Sequence, residues 1–275
     1  MKVNIKRILA LALSAVMILN MVPKLTLFAN EIDEIVYYVA ANGNDNNNEG
    51  TSAEKAFATL GKAIKALNDV TAERKVIKIV DTVSISGEVE THSDNIIITG
   101  NDGNAVLDIT GHIYPKGPLT FENIKISNNN QFEFKCERST MVFGAGVTMT
   151  QTDAKSYPNI LTGNYGAWSS DANANPVCES VTIDSGNFYQ IRLGSSATNK
   201  SISSSVVNGV DLTMNGGWAY HLLLGANGGW TDYTAGNQYI DDVNIVINGG
   251  TIAGGILWSD TPGVEASTLN DNAVQ

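Results

Sequence analysis

Short apolar clusters of Val, Ile and Leu recur along the chain, separated by Gly, Asn, Asp and Ser. Each cluster is too short for a helix and is bounded by residues that favour turns, so the pattern predicts many short strands. The clearest clusters occupy residues 76–80, 83–85, 96–99, 105–109, 119–126, 132–134 and 141–149. The hydrophobic pattern therefore indicates an all-β protein.

One segment near the N-terminus has helical spacing instead. Leu60, Ile64 and Leu67 recur at the intervals that place side chains on one face of a helix. Thr59 precedes this stripe, and its hydroxyl can accept a hydrogen bond from a backbone N–H of the first turn. The spacing predicts a short helix over residues 59–67.

The second half of the chain contains an internal repeat. Residues 181–194 align with 212–225 and with 245–258, at offsets of 31 and 33 residues, and each copy reads strand, tight turn, strand. Repeats of this kind bury their apolar faces only by stacking on one another. The alignment therefore predicts a solenoid.

Alternation with a period of two in the second strand of each copy predicts which side chains face the core. The predicted inward residues are Tyr189, Ile191, Leu193, Tyr220, Leu222, Leu224, Ala253, Gly255 and Leu257. The predicted outward residues are Gln190, Arg192, His221, Leu223, Ile256 and Trp258. Since parallel coils stack about 4.8 Å apart, Gln190 is expected beside His221 and Arg192 beside Leu223. This outward line is a candidate ligand-binding row.

The first residues have the character of an export signal. Lys2, Lys6 and Arg7 precede an apolar run over residues 8–22, which is shorter than the roughly 20 apolar residues of a membrane-spanning helix. Cleavage is predicted after Ala29, giving a secreted or cell-surface protein with no membrane span after cleavage. An uncleaved N-terminal anchor is the alternative.

The predicted organisation follows from these patterns. A signal peptide over residues 1–29 precedes an N-terminal strand and helix over residues 30–70 and repeated coils over residues 71–260. A polar tail over residues 261–275 has no amphipathic helix to cover the last coil, and it indicates an incomplete C-terminus.

Charge narrows the range of partners. Removal of residues 1–29 takes away four basic and no acidic residues, so the net charge of −11 becomes −15. Such an acidic surface repels nucleic-acid phosphates, and nucleic acid is therefore excluded as a partner.

Cys136 and Cys178 are the only cysteines. They can pair in an oxidising exterior, or they can be two separate buried small hydrophobes, which is the preferred interpretation.

Two stretches near the N-terminus carry a family resemblance. Residues 37–45, Tyr-Tyr-Val-Ala-Ala-Asn-Gly-Asn-Asp, and residues 49–64, from Glu-Gly-Thr-Ser to Lys-Ala-Ile, resemble the entry motif of secreted bacterial right-handed β-helix proteins of the pectate-lyase-like group. The resemblance implies a right-handed parallel β-helix. It also implies that the first strand and the short helix cap its N-terminal end.

The catalytic patterns of that group are missing. Of the polygalacturonase-type motifs the chain offers only Asp241-Asp242 and an unrelated Gly111-His112, and there is no lyase-type Arg-x-Pro-x-x-Arg. Family members include enzymes and surface proteins without known catalysis. Whether this chain is an enzyme therefore stays open.

Few other constellations suggest chemistry. Asp45, Asn47 and Glu49 copy the opening of a calcium loop, but the closing Glu is missing, so a plain polar loop is preferred and no cofactor is predicted. His221 and Arg192 could act on an acidic sugar, or they could be a solvated surface pair. Four tryptophans, which could stack on sugar rings, lie in the second half: Trp168, Trp218, Trp230 and Trp258.

Three classes of function fit these observations. The first is a non-catalytic extracellular or cell-surface module for adhesion or glycan contact, with Gln190, Arg192, His221, Trp218 and Trp258 as candidate ligand-binding residues. The second is a lyase or hydrolase acting on an acidic polysaccharide, because fold alone does not establish function. The third is a structural stalk of a larger surface protein.

Overall fold

The structure is a computed structural model. It describes residues 33–89, 95–128, 132–136, 139–162, 179–193, 204–208, 210–224, 237–241 and 243–257. The predicted export signal, Cys178, Trp168, Trp230, Trp258 and the polar tail lie outside these residues.

The described residues form twenty strands, one α-helix and one short 3-10 helix at Ala154–Ser156. The helix is α1 (Leu60–Asn68). The strands are β1 (Glu34–Val39), β2 (Arg74–Ile79), β3 (Thr82–Val89), β4 (Ile96–Gly100), β5 (Val106–Pro115), β6 (Leu119–Glu122), β7 (Lys125–Asn128), β8 (Glu133–Lys135), β9 (Thr140–Phe143), β10 (Thr148–Met149), β11 (Asn159–Leu161), β12 (Ser180–Ile183), β13 (Asn187–Arg192), β14 (Ser204–Asn208), β15 (Asp211–Met214), β16 (Trp218–Leu223), β17 (Asn237–Asp241), β18 (Asn244–Ile247), β19 (Thr251–Ile252) and β20 (Ile256–Leu257).

These strands make two long parallel sheets and one short pair. The first sheet has the order β1-β2-β4-β6-β9-β12-β15-β18. The second has the order β10-β7-β5-β8-β11-β13-β16-β19, with β3 beside β5 and β20 beside β16. β14 pairs with β17. From β11 to β19 the chain visits the two long sheets in turn, so each passage adds one strand to each sheet. The prediction of an all-β protein is confirmed.

Side chains from both long sheets meet in one core. In the first sheet the inner column in register runs through Tyr37, Ile77, Ile98, Phe121, Phe143, Ile183, Met214 and Ile247. In the second sheet it runs through Ile113, Phe134, Ile160, Ile191, Leu222 and Ile256. Phe143 links the two sheets, with its ring centroid 5.0 Å from that of Phe134 and 4.7 Å from that of Phe188. Burying such side chains stabilises the fold by about 1.5–3 kcal/mol each.

The predicted helix is confirmed as α1. Thr59 is its N-cap, and its Oγ1 accepts a hydrogen bond of 3.2 Å from the backbone N–H of Lys62. The buried face consists of Leu60, Ala63, Ile64 and Leu67, which belong to the same core as the sheets. Amphipathic packing therefore holds this short helix, which would be marginal by itself.

The first two copies of the repeat pair as predicted. Val181 lies opposite Leu212 in β12 and β15, and Asn187 lies opposite Trp218 in β13 and β16, both at the offset of 31 residues. A side-chain ladder joins the turns, because Asn215 Nδ2 donates to Asp184 Oδ1 and Asn248 Nδ2 donates to Asn215 Oδ1, each at 2.8 Å. The turn glycine has φ +78 at Gly217, where a Cβ would lie 2.7 Å from the carbonyl oxygen of the preceding copy. Only glycine fits such a position without strain.

The third copy departs from the prediction by one residue. Its first strand keeps the offset of 33, but Leu222 pairs with Ile256 rather than with Gly255. The strand is interrupted between β19 and β20 by Ala253, Gly254 and Gly255, and Gly255 has φ +94. The inward assignments of Gly255 and Leu257 and the outward assignment of Ile256 are therefore wrong. Ile256 ends the inner column, although 53% of it is exposed.

Cys136 is fully buried and disulfide-bonded. The preferred interpretation of the cysteines as two separate small hydrophobes is therefore wrong for Cys136. A disulfide between distant parts of the chain stabilises the fold mainly by restricting the unfolded state.

Among the described residues, no helix has the length and apolar character needed to cross a membrane.

Candidate functional site

The outer face of the second sheet carries a line of polar side chains, which we call the polar row. It consists of His112, Glu133, Asn159, Gln190 and His221. Glu133 pairs with Asn159, and Gln190 pairs with His221, in the strand register. The pairing of Ile113 with Phe134 and of Ile160 with Ile191 places the remaining members in the same line. Adjacent members follow one another at the strand spacing of about 4.8 Å. The predicted neighbours Gln190 and His221 are confirmed.

A second line runs beside the polar row, two residues further along each strand. It consists of Tyr114, Lys135, Leu161, Arg192 and Leu223, and the predicted pairing of Arg192 with Leu223 is confirmed. Arg192 Nε donates a hydrogen bond of 2.7 Å to Gln190 Oε1, which ties the two lines together. Gln190 and Leu223 were predicted to point into solvent, but they are 4% and 1% exposed.

Four side chains make a compact charged cluster at the start of the row. Lys135 Nζ lies 3.3 Å from Glu133 Oε2 and donates a hydrogen bond of 3.1 Å to the Tyr114 hydroxyl. The same Glu133 oxygen lies 3.4 Å from His112 Nδ1. Lys135 is 4% exposed and Glu133 is 7% exposed, so both charges are largely removed from water. Buried charges of this kind persist only when they are paired and hydrogen-bonded.

The electrostatics of this cluster act on His112. Partial burial and the positive charge of Lys135 hold the pKa of His112 below its ordinary value of 6.5, against the opposite effect of the Glu133 carboxylate. The imidazole is therefore neutral at pH 7. A neutral imidazole can accept either a hydrogen bond or a proton.

Several atoms of the row lack a protein hydrogen bond. Among the described residues, six buried side-chain nitrogen or oxygen atoms have no hydrogen-bond partner, and four of these belong to the row: His112 Nδ1, Glu133 Oε2, Asn159 Oδ1 and His221 Nδ1. The contacts of Glu133 Oε2 with Lys135 and His112 are close enough for charge attraction but do not have hydrogen-bond geometry. Such atoms cost about 1–3 kcal/mol each when they stay unpaired, so their concentration in one line needs an explanation.

An aromatic cluster continues the row at its far end. Tyr189 and Tyr220 stack with their ring centroids 5.7 Å apart and their planes 7° from parallel. Trp218 lies 6.2 Å from Tyr220 and 5.7 Å from Tyr157, centroid to centroid, and the ring of His221 lies 4.3 Å from that of Tyr220. Tyr220 is 36% exposed and the other three members are half-buried. The prediction that Tyr189 and Tyr220 point inward is therefore wrong.

A break in the alternation of inward and outward side chains explains why Tyr189 and Tyr220 face outward. Phe188 and Ile191 both lie in the core, with two residues between them rather than one. The strand bends there, so Tyr189 turns outward and Gln190 joins the polar row. At the next copy Ala219 and Leu222 repeat the same spacing. The imidazole of His221 lies close to the backbone of Gly254, where an added Cβ would be 2.4 Å from Cδ2, so glycine leaves the room that this ring occupies.

The loop that resembles a calcium site has a structural role. Asp45 Oδ1 accepts hydrogen bonds from the backbone N–H groups of Ala58 at 2.7 Å and Thr59 at 3.1 Å, and Asp45 Oδ2 accepts one from Thr59 Oγ1 at 2.6 Å. This carboxylate therefore braces the start of α1. In the part of the chain that the structure describes, no three His, Cys, Asp or Glu side chains are grouped so that they could hold a metal ion.

The structure thus brings together four of the five candidate ligand-binding residues, namely Gln190, Arg192, His221 and Trp218, while Trp258 lies outside the described residues. Sequence reasoning missed His112, Tyr114, Glu133, Lys135, Asn159 and Tyr157. A usable signal was present in the segments His-Ile-Tyr and Glu-Phe-Lys at 112–114 and 133–135, where polar residues flank a single apolar one.

Comparisons with known proteins add no assignment. No protein-family model matches the chain, and neither a curated protein nor a solved structure matches it. Function must therefore be argued from the site. Chemically, the accessible part of the site offers aromatic rings with the half-buried Arg192 and His221, whereas Glu133, Lys135, Asn159 and Gln190 are buried beneath the outer face.

Proposed function

We propose that this protein is an exported, non-catalytic module that binds a glycan on the outer face of its second sheet. The proposed architecture is a right-handed parallel β-helix of the pectate-lyase-like group, in which α1 caps the N-terminal end. All the described strand pairs are parallel, the repeats pair in register, and the chain alternates between two sheets that share one core. These features support a solenoid, as does the N-terminal motif.

The aromatic cluster is the observation that carries the function. Tyr157, Tyr189, Trp218 and Tyr220 present four rings on a surface rather than in the core. Amphipathic rings with one accessible face are the usual anchors of binding surfaces, because they bury a large apolar area at a small cost in conformational entropy. His221, whose ring lies 4.3 Å from that of Tyr220, and Arg192 are half-buried and can supply hydrogen bonds to hydroxyl groups. Sugar rings combine apolar faces with hydroxyl edges and match this arrangement.

Export supports an extracellular ligand of this kind. The N-terminal signal pattern, the disulfide at Cys136 and the strongly acidic composition all suit a protein that works outside the cell. A cell-surface or host polysaccharide is the proposed partner.

Binding to a panel of plant, microbial and host polysaccharides, with and without Ca²⁺, tests this function. Trp218→Ala and Tyr220→Ala should each weaken the binding of retained polysaccharides by about tenfold or more, equivalent to about 1.4 kcal/mol. Tyr38→Ala is the matched control, because Tyr38 is a half-buried tyrosine on the outer face of the first sheet. Equal losses in all three variants, or no retention of any polysaccharide, would contradict the proposal and leave the structural stalk.

A second function is favoured by the charged cluster. The neutral His112 and the buried Lys135 each lie within 3.4 Å of the carboxylate of Glu133, and such groups can transfer protons during cleavage of a polysaccharide. The same panel is then assayed for released products. Cleavage that is lost in His112→Ala while polysaccharide retention persists would establish an enzyme, whereas retention without products supports the binding module.

A further inference from the structure

We propose that Lys135 and Asn159 form an intramolecular isopeptide bond, with Glu133 as the group that takes up the proton. The bond joins β8 to β11 on the second sheet and releases ammonia. This covalent modification is independent of the proposed glycan-binding function, because it takes place beneath the accessible surface.

The strand register places the three side chains next to one another. Glu133 lies opposite Asn159, and Lys135 lies opposite Leu161, in the paired strands β8 and β11. Residues two apart in a strand point to the same face, so Lys135 and Asn159 are diagonal neighbours on that face. A strand spacing of about 4.8 Å and a rise of about 3.3 Å per residue put their Cα atoms about 8 Å apart, which a lysine and an asparagine side chain together can bridge.

The lysine already contacts the acid. Lys135 Nζ lies 3.3 Å from Glu133 Oε2. Because Glu133 is directly opposite Asn159, this contact brings the amine to the register level of the amide. Lys135 Nζ also donates a hydrogen bond of 3.1 Å to the Tyr114 hydroxyl, and the amine exchanges this contact for the amide carbon when the bond forms.

Burial supplies the environment that such a reaction needs. Lys135, Glu133 and Asn159 are 4%, 7% and 3% exposed. Removal from water lowers the cost of moving a proton from the ammonium group to the carboxylate, and the neutral amine that results can act as a nucleophile. The same removal from water keeps water from competing with the amine for the amide carbon.

Two unpaired atoms at this place fit the product of the reaction. Glu133 Oε2 and Asn159 Oδ1 are buried and have no hydrogen-bond partner. A ligand on the outer face does not reach atoms with so little exposure, so their partners must come from the protein itself. After the reaction Glu133 is a carboxylic acid, and its O–H can donate to the isopeptide oxygen that was Asn159 Oδ1. The bond therefore satisfies both atoms.

The reaction balances without a further reactant. Lys135 Nζ attacks Cγ of Asn159, and the new C–N bond forms as the bond from Cγ to Nδ2 breaks. Of the three protons of the ammonium group, one stays on the isopeptide nitrogen, one leaves with Nδ2 as ammonia, and one remains on Glu133. The chemistry needs neither an oxidant nor a cofactor.

Mass spectrometry of the exported protein tests the inference. With the disulfide reduced, we expect the intact mass to lie below that of the processed sequence by one ammonia molecule. Trypsin should then release residues 126–138, uncut after Lys135, joined to residues 156–192, which contain Asn159. Reduction is essential because Cys136 and Cys178 lie in the same two peptides.

Three variants assign the roles of the three residues. Lys135→Arg, Asn159→Ala and Glu133→Gln remove the nucleophile, the amide and the proton acceptor, so each should have its full sequence mass and yield two separate peptides. Lys125→Arg is the matched control, because Lys125 is an exposed lysine of the same sheet, and this variant should keep the cross-link. Circular dichroism identifies any variant that fails to fold, and the branched peptide of the parent protein decides without the variants.

Several outcomes would overturn the inference. A parent protein of full sequence mass is one, and a loss of ammonia without a branched peptide is another, since that loss marks cyclisation at an Asn-Gly sequence such as Asn42-Gly43. A cross-link that persists in Glu133→Gln would overturn the role of the carboxylate. None of these results depends on polysaccharide retention, so the two proposals are tested separately.

Discussion

The outer faces of the two long sheets are both built from parallel strands, but they carry different kinds of side chain. On the first sheet one register column runs through Val36, Val76, Ile97, Thr120, Val142, Thr182, Thr213 and Val246. All eight are short β-branched side chains. On the second sheet the equivalent outward position holds the polar row, with two imidazoles, two amides and a carboxylate.

The difference shows that the same parallel pairing can carry either a simple packing surface or a row of polar groups. β-branched residues suit a pleated surface and make few demands on their neighbours. Long polar side chains at the same spacing need partners, and several atoms of the row have none within the protein. Parallel pairing alone therefore does not create the site. The choice of side chains at one position of successive strands does.

The largest predicted effect is a difference in the free energy of unfolding between substitutions on the two outer faces. Glu133→Ala removes the carboxylate from the buried Lys135 and should lower the free energy of unfolding by about 3 kcal/mol, because an uncompensated buried charge is left. Thr182→Ala on the first sheet should change it by less than about 0.5 kcal/mol. Urea unfolding of both variants and the parent measures this. Similar losses in the two variants would remove the contrast between the faces.

A smaller effect is predicted where the second sheet holds His221. Gly254→Ala places a Cβ 2.4 Å from the imidazole and 2.8 Å from the backbone oxygen of Tyr220, so the strand must shift. We expect a loss of about 1–3 kcal/mol, together with weaker binding of any ligand that contacts His221. Gly103→Ala is the control, since a Cβ there meets nothing within 4 Å. Thermal melting of the two variants decides, and an unchanged melting temperature for Gly254→Ala would show that the imidazole is free to move.

The smallest predicted effect is a change in how the free energy of unfolding depends on pH. The folded pKa of His112 lies below 6.5, so between that pKa and 6.5 the native state binds fewer protons than the unfolded chain. Stability should therefore fall as the pH is lowered below 6.5, until both states are protonated. The groups that face His112 are Glu133, Lys135 and Tyr114. His112→Asn should flatten this part of the profile in urea unfolding between pH 7.5 and 5, whereas Thr182→Ala should leave it intact. A parallel profile for His112→Asn would contradict the assignment.

Most of the local structure was predictable because it depends on short-range spacing. The apolar clusters became strands, the stripe of Leu60, Ile64 and Leu67 became α1, and the first two repeat copies paired at the predicted offset. The neighbours Gln190 and His221 followed directly from that offset. Each of these features needs only the period of the side chains and a constant coil length.

The errors lie where the chain departs from a regular period. Two residues separate Phe188 from Ile191 in the core, and this bend turned Tyr189 outward against the alternation. An added residue at Gly254 and Gly255 shifted the register of the last strand of the third copy by one residue. Backbone bends of this kind depend on packing against neighbouring strands, and a single sequence does not display them.

The sequence by itself determined the strand-rich character, the helix, the acidic charge and the stacking of the repeats at residues 181–225. Only the tertiary structure decided that His112, Glu133 and Asn159 join Gln190 and His221 in one row. The steps between successive members are 21, 26, 31 and 31 residues, so the first two coils do not share the period of the repeat. Where coil length varies, hydrogen bonding between strands sets the register, and residues far apart in sequence become neighbours only through that pairing.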